Sequence, residues 1–202
     1  MIPSLLLVIS LLTSGTPLCP EKSDTHGAEL QPKIPQGSRI VLLGDSLAEG
    51  MAAPFRRLAK NKGYVPSISA LHGTRINYWS SKIERIMVDS RPKLVIISLG
   101  TNDSGTSTPE VQRIHVKKIR NVVEKYGGKI FWLSPMKLPQ RFRGQDGIRK
   151  IIQDEISPQN ILSSADLKLE MIKDGVHLTG KGYEGWITLA WNRLVSEGYL
   201  SH

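Results

Sequence analysis

The sequence predicts an α/β protein: a parallel sheet of about five strands with helices on both faces. Two short apolar runs, Arg39-Ile-Val-Leu-Leu-Gly44 and Lys93-Leu-Val-Ile-Ile-Ser-Leu-Gly100, end in glycine. Runs this free of polar alternation are what strands buried on both faces require. Segments of helical period separate such runs, and parallel neighbours need a crossover of that kind, which packs back onto the sheet right-handedly.

The elements follow in order. After the Arg39 strand, Met51, Phe55, Leu58 and Ala59 recur at helical spacing, with Gly63 as the stop. Tyr64 to Leu71 reads as a strand interrupted by Pro66, which assigns it an edge position or a late start. Ile76, Trp79, Ile83, Ile86 and Met87 form a second helical face before the Lys93 strand. Thr108-Pro109-Glu110 opens a third helix, with a capping hydroxyl, proline at the first position and an acid in the first turn, and Gly127-Gly128 closes it. Ile130 to Ser134 is a further strand, followed by a loop, a helix near Gly147 to Glu155 and a short apolar segment at Ile161-Leu162. The last helix carries Tyr183, Trp186, Ile187, Ala190, Trp191, Leu194 and Val195 on one stripe. Ligands of such a sheet bind at the carboxyl ends of its strands, so the chemistry belongs just after Gly44, Leu71, Leu99 and Leu133.

A chain of 202 residues, 40% hydrophobic and 22% charged, fits one globular domain. Leu5 to Leu12 forms an apolar run too short to span a bilayer. We read residues 1–19 as an export signal or apolar leader, 20–38 as a linker rich in Pro, Gly and charge, and 39–202 as the domain, which makes the protein secreted or periplasmic. The n-region lacks Lys and Arg, so an uncleaved anchor is the alternative. With Cys19 as the only cysteine, no intramolecular disulfide exists. The net charge of +9 is concentrated in 113–129 and 137–150 without interleaved aromatics, so a single-strand stacking platform is not expected and nucleic acid is not the expected partner. No His, Cys and carboxylate cluster has metal-ligand spacing, and no metal or other cofactor is expected.

Three motifs fall on the predicted rim. Gly44-Asp45-Ser46-Leu47 lies where a strand hands over to a helix and would hold a serine hydroxyl near a helix N-terminus. A serine needs a base for its proton and donors for the oxyanion it creates. Gly100-Thr101-Asn102-Asp103 offers an amide N–H for that oxyanion, although an asparagine there also suits an Asx-turn. Asp174-Gly-Val-His177 places an acid three residues before a histidine, where it can orient the imidazole and leave the second nitrogen for serine. Each motif alone has an ordinary explanation as a cap or turn.

Together, and in this order, the blocks resemble the signatures of the SGNH (GDSL-like) hydrolases, over most of the chain from Ser46 to His177. The resemblance implies a flavodoxin-like three-layer α/β/α sandwich. It also implies a triad of Ser46, Asp174 and His177, and an oxyanion hole made by the Ser46 N–H, a glycine N–H and Asn102. The family's second block is little more than one glycine; Gly73 is preferred over Gly63, which sits where a helix stops. Candidate substrate contacts are Asp45 beside the nucleophile, Tyr78, and the loop arginines Arg75, Arg141 and Arg143. His72 and His115 read as surface or capping residues, and Trp79 as core. The expected activity is ester hydrolysis through an acyl-enzyme, first on short acetyl esters of a glycan, with an anionic glycan suited to the basic loops. The alternatives are a lipase, lysophospholipase or thioesterase of the same family, or a catalytically silent glycan-binding member.

Overall fold

A computed structural model of the chain describes residues 33–104, 108–139 and 144–201, all within one compact unit. The leader, most of the linker, and Arg141 and Arg143 lie outside the described residues. The strands are β1 (Arg39–Gly44), β2 (Val65–Ala70), β3 (Leu94–Ser98), β4 (Lys129–Leu133) and β5 (Ile161–Leu162). The helices are α1 (Ser46–Asn61), α2 (Ile76–Ser90), α3 (Pro109–Lys125), α4 (Gln145–Glu155) and α5 (Gly180–Ser196).

All pairings are parallel, in the order β2-β1-β3-β4-β5, the flavodoxin-like order. One face of the sheet presents Ile40, Leu42, Leu94, Ile96, Phe131 and Leu133 to α1 and α5. The other presents Val41, Leu43, Val95, Ile97, Ile130 and Trp132 to α2, α3 and α4. Adjacent side chains on a strand point to opposite faces, so the continuous apolar runs of β1, β3 and β4 are the direct result of two covered faces. The α/β/α sandwich expected from the sequence is the architecture of the chain.

β2 sits at the sheet edge and is only partly buried, which is where Pro66 costs no ladder bond. Pro54 lies inside α1, where its missing N–H leaves one intrahelical bond unmade. The packed structure also begins ahead of Arg39. Ile34 is buried, donates its N–H to Tyr199 O at 2.8 Å and accepts the Tyr64 hydroxyl at 3.2 Å. The end of the segment read as linker is therefore packed into the domain, held by one backbone bond to Tyr199 and by the Tyr64 hydroxyl.

The chain leaves β1 toward β2 on one side and returns to β3 on the other. The carboxyl ends of β1 and β3 thus flank a topological switch point, where open α/β sheets bind their ligands. Close approach there demands a small residue: a Cβ on Gly44 would lie 2.2 Å from the Ser98 carbonyl oxygen. Gly44→Ala should accordingly lower the unfolding free energy by about 1–3 kcal/mol, as overpacking does. The urea midpoint at constant m-value is the measurement, and an unchanged midpoint would refute the close packing of β1 on β3.

Candidate active site

Ser46 is the first residue of α1 and follows β1 through Asp45, the helix N-cap. Asp45 Oδ1 accepts the Leu47 N–H at 2.9 Å, fixing the first turn. The Ser46 N–H, at the helix start, has no carbonyl four residues back within the helix.

Asp174 and His177 come from a loop closed by an antiparallel bridge between Met171 and Leu178. Ile172 N–H donates to His177 O at 2.9 Å and Thr179 N–H to Glu170 O at 2.9 Å, while Thr179 caps α5 by accepting the Gly182 N–H at 3.1 Å. Asp174 Oδ1 accepts the N–H groups of Val176 at 2.8 Å and His177 at 2.9 Å. Its Oδ2 lies 2.6 Å from His177 Nδ1. A carboxylate only accepts, so Nδ1 carries the proton and Nε2 presents a lone pair. That Nε2 lies 2.9 Å from Ser46 Oγ. The His177 hydrogen bond and the two backbone N–H groups hold the Asp174 carboxyl down at about 2, so it remains an acceptor across the neutral range. The arrangement can draw the Ser46 proton onto His177 while Asp174 orients the ring.

Asn102 lies in a 3-10 turn, Thr101–Asp103, after β3. Its Nδ2 donates to Asp45 Oδ2 at 3.1 Å and to Thr74 O at 3.0 Å. The Thr74 carbonyl can only accept, so the amide nitrogen must face this side. Both Nδ2 hydrogens are thereby engaged, and an oxyanion would have to share or displace one of these bonds. Gly73, next to Thr74, has φ +70°, a left-handed turn that favours glycine, and its N–H makes no hydrogen bond among the described residues. Ser46, Gly73 and Asn102 are thus linked through Asp45 and Thr74.

Asp45 is 1% exposed, and its oxygens are taken by Leu47 and Asn102. The expectation that it contacts substrate is corrected: it is an internal brace, because an N-cap side chain folds back onto its own helix. Arg75 is exposed, with Nε on the Asn102 carbonyl at 3.1 Å. Tyr78 is 39% exposed and packs edge-on against Trp79, centroids 5.1 Å apart. With Leu71 and Lys82 it lines a cleft of about 470 Å³ between β2 and α2 whose walls include none of Ser46, Asp174 and His177. Trp79 is buried, its Nε1–H donating to Thr74 Oγ1 at 2.8 Å. His115 binds Ser80 Oγ at 2.8 Å, away from the triad.

His72, read from the sequence as a surface or capping residue, is exposed and stands beside the site. Its ring lies over that of His177, centroids 6.1 Å apart and planes 15° from parallel, and its N–H donates to Glu49 Oε1 at 2.9 Å. Only its place beside Gly73 signals this in the sequence.

Burial pushes the Asp45 carboxyl up from 3.8 to about 7, against the Leu47 N–H and with a further rise from Asp103. Burial likewise raises Asp103 to about 6, opposed by the Ile76 N–H and by Arg75. A carboxyl whose folded value exceeds its unfolded one contributes stability that is whole below the unfolded value and is lost as pH rises through the folded one. Stability should therefore fall between about pH 4 and pH 7. Asp45→Asn should reduce that slope without abolishing it, since Asp103 still titrates. Urea midpoints across this range test it, and an identical slope in the variant would contradict a buried, raised Asp45.

A family described as proteins of unknown function, DUF459, matches residues 39–134, the span from β1 through β4. No curated protein matches the sequence. Among solved structures, TesA superposes with a TM-score of 0.65 at 16% identity, covering 79% of this chain and 99% of that one. A GDSL-like lipase from Bacteroides thetaiotaomicron VPI-5482 gives 0.59 at 21% identity, covering 81% and 92%. An acetyl xylan esterase from Geobacillus stearothermophilus, the W215I variant, gives 0.63 at 14% identity, covering 84% and 98%. At such identities the likeness is one of fold. The resemblance carried by the motif blocks thus extends through the sheet and its helices, and the chain has the fold of the SGNH (GDSL-like) hydrolases.

Proposed function

We propose that the protein is a serine ester hydrolase that works through an acyl-enzyme and acts first on short acetyl esters of a carbohydrate. The observation that carries this is the continuous chain Ser46 Oγ, His177, Asp174, at 2.9 and 2.6 Å, beside the sheet's switch point. In this reading Ser46 attacks the ester carbonyl as His177 Nε2 takes its proton. The oxyanion is held by the N–H groups of Ser46 and Gly73 and by Asn102, which gives up one of its two resting bonds. His177 then protonates the departing alcohol, and water activated by the same nitrogen releases the acid.

The fold's likeness to an acetyl xylan esterase supports the acetyl-carbohydrate choice. So do the basic loops with Arg75, Arg141 and Arg143, which suit an acidic glycan. The apolar leader in 1–19 supports an exported protein. A second reading, lipase or thioesterase, is favoured by the cleft between β2 and α2, whose walls include Ile68, Ala70, Leu71 and Ile86. Each methylene buried there would add about 0.8 kcal/mol.

The discriminating experiment is kcat/KM across p-nitrophenyl esters from C2 to C12, alongside neutral and acidic acetylated glycans at low and high salt. We expect a maximum at acetyl or propionyl and a preference for acidic glycans that weakens as exposed charges are screened. A maximum at C8 or longer would replace the carbohydrate reading with the lipase or thioesterase one.

A further inference from the structure

The first two turns of α1 hold more than the nucleophile. Glu49 lies three residues after Ser46 and four after the N-cap Asp45, and residues three and four apart are neighbours on a helix surface. Asp45 reaches Asn102. Glu49, in the first turn, reaches in the other direction and accepts the His72 N–H at 2.9 Å.

The loop it grips is anchored at its two ends, by Leu71 N–H on Gly44 O at 3.0 Å and by Asn102 Nδ2 on Thr74 O at 3.0 Å, while its middle, His72 and Gly73, is held by neither bond. Leu71, His72 and Gly73 are all exposed, and a Cβ added to Gly73 would meet no heavy atom within 4 Å. The turn is closed internally by Thr74 Oγ1–H on Leu71 O at 2.6 Å. That bond shapes the loop without fixing its distance from Ser46. Between the two anchored ends, the Glu49 bond is the one that reaches His72 among the described residues, and it joins the residue before Gly73 directly to the helix that begins with Ser46. It also sets His72 so that its imidazole lies over that of His177.

We propose that Glu49 is a positioning residue: by accepting the His72 N–H it holds the Gly73 donor in register with Ser46 and lays the His72 ring against His177. This rests on the ester-hydrolase reading. Catalytic geometry is steep in distance, with a misplacement of about 1 Å costing up to roughly 10²-fold, so a loosened loop lowers turnover while leaving ground-state binding nearly intact.

The test uses the full chain with Glu49→Ala and Glu49→Gln, read by p-nitrophenyl acetate kinetics, thermal melting and amide hydrogen exchange at His72. Glu49→Ala should lower kcat by about 10- to 100-fold, leave KM and the melting temperature close to the parental values, and speed His72 exchange. Glu49→Gln keeps an oxygen acceptor and should restore kcat to within a few-fold of parental and slow the exchange again. Unchanged His72 exchange in Glu49→Ala would show that no clamp exists. Faster exchange with parental kcat, or a Gln variant as slow as the Ala variant, would show that the clamp does not position the donor. If the parental protein shows no Ser46-dependent hydrolysis, the enzymatic reading itself fails and the positioning role falls with it, while the exchange data still report the contact.

Discussion

Ser46→Ala should remove ester hydrolysis almost entirely, by about 10⁴- to 10⁶-fold in kcat, with the fold intact. Ser46 is the only hydroxyl placed against His177 Nε2, at 2.9 Å, among the described residues, and so the only alcohol nucleophile in that chain of hydrogen bonds. Residues that act as one unit lose activity non-additively. His177→Ala should therefore fall nearly as far, and the double variant hardly further. Circular dichroism and the melting temperature establish that the fold survives, and hydrolysis of p-nitrophenyl acetate measures the loss. A Ser46→Ala protein that turns over at the parental rate would end the serine mechanism and assign the hydrolysis to a different group.

Asn102→Ala is expected to cost roughly 10²–10³ in kcat, the usual effect of losing one oxyanion donor. KM should change little, because the donor acts on charge that develops only in the transition state. The resting bonds of Asn102 sharpen the prediction. Its Nδ2 ties Asp45 to Thr74, so the substitution also leaves Asp45 Oδ2 without that donor in a buried setting. The melting temperature should fall as well. The two effects separate kinetically: a protein that is merely less stable keeps its kcat below its melting transition. Loss of stability with kcat unchanged would assign Asn102 to the turn alone.

Much of this was legible in the linear chain, for identifiable reasons. The runs Arg39 to Gly44 and Lys93 to Gly100 lack alternation because both faces of the sheet are covered, and burial on two sides leaves an unambiguous trace. Pro66 marked an edge because a proline cannot donate to a ladder. Ser46, Asn102 and the Asp174 to His177 block were legible because they stand at ends of strands or before a helix, where turn chemistry and functional chemistry use the same short polar residues. Asp45 was misread for that very reason: an acid beside a serine at a helix start is equally a substrate contact and a cap, and only its 1% exposure decides. Ile34 was assigned to a linker because a lone apolar residue among Pro, Gly and Lys has no periodicity to report. Glu49 left no trace and His72 only its place beside Gly73, since a surface histidine and an acid in a first helical turn are ordinary on their own.

The sequence by itself determined the fold class, the order of its elements and the three polar blocks, because hydrophobic periodicity and turn preference are local properties of the chain. Only the tertiary structure decided which polar groups meet. It set Ser46 against His177 across 131 positions of sequence, committed both hydrogens of Asn102 to Asp45 and Thr74, and brought Glu49 to His72. Hydrogen bonds are short and directional, so whether two distant residues share one depends on a strand order and a helix placement that no window of sequence contains.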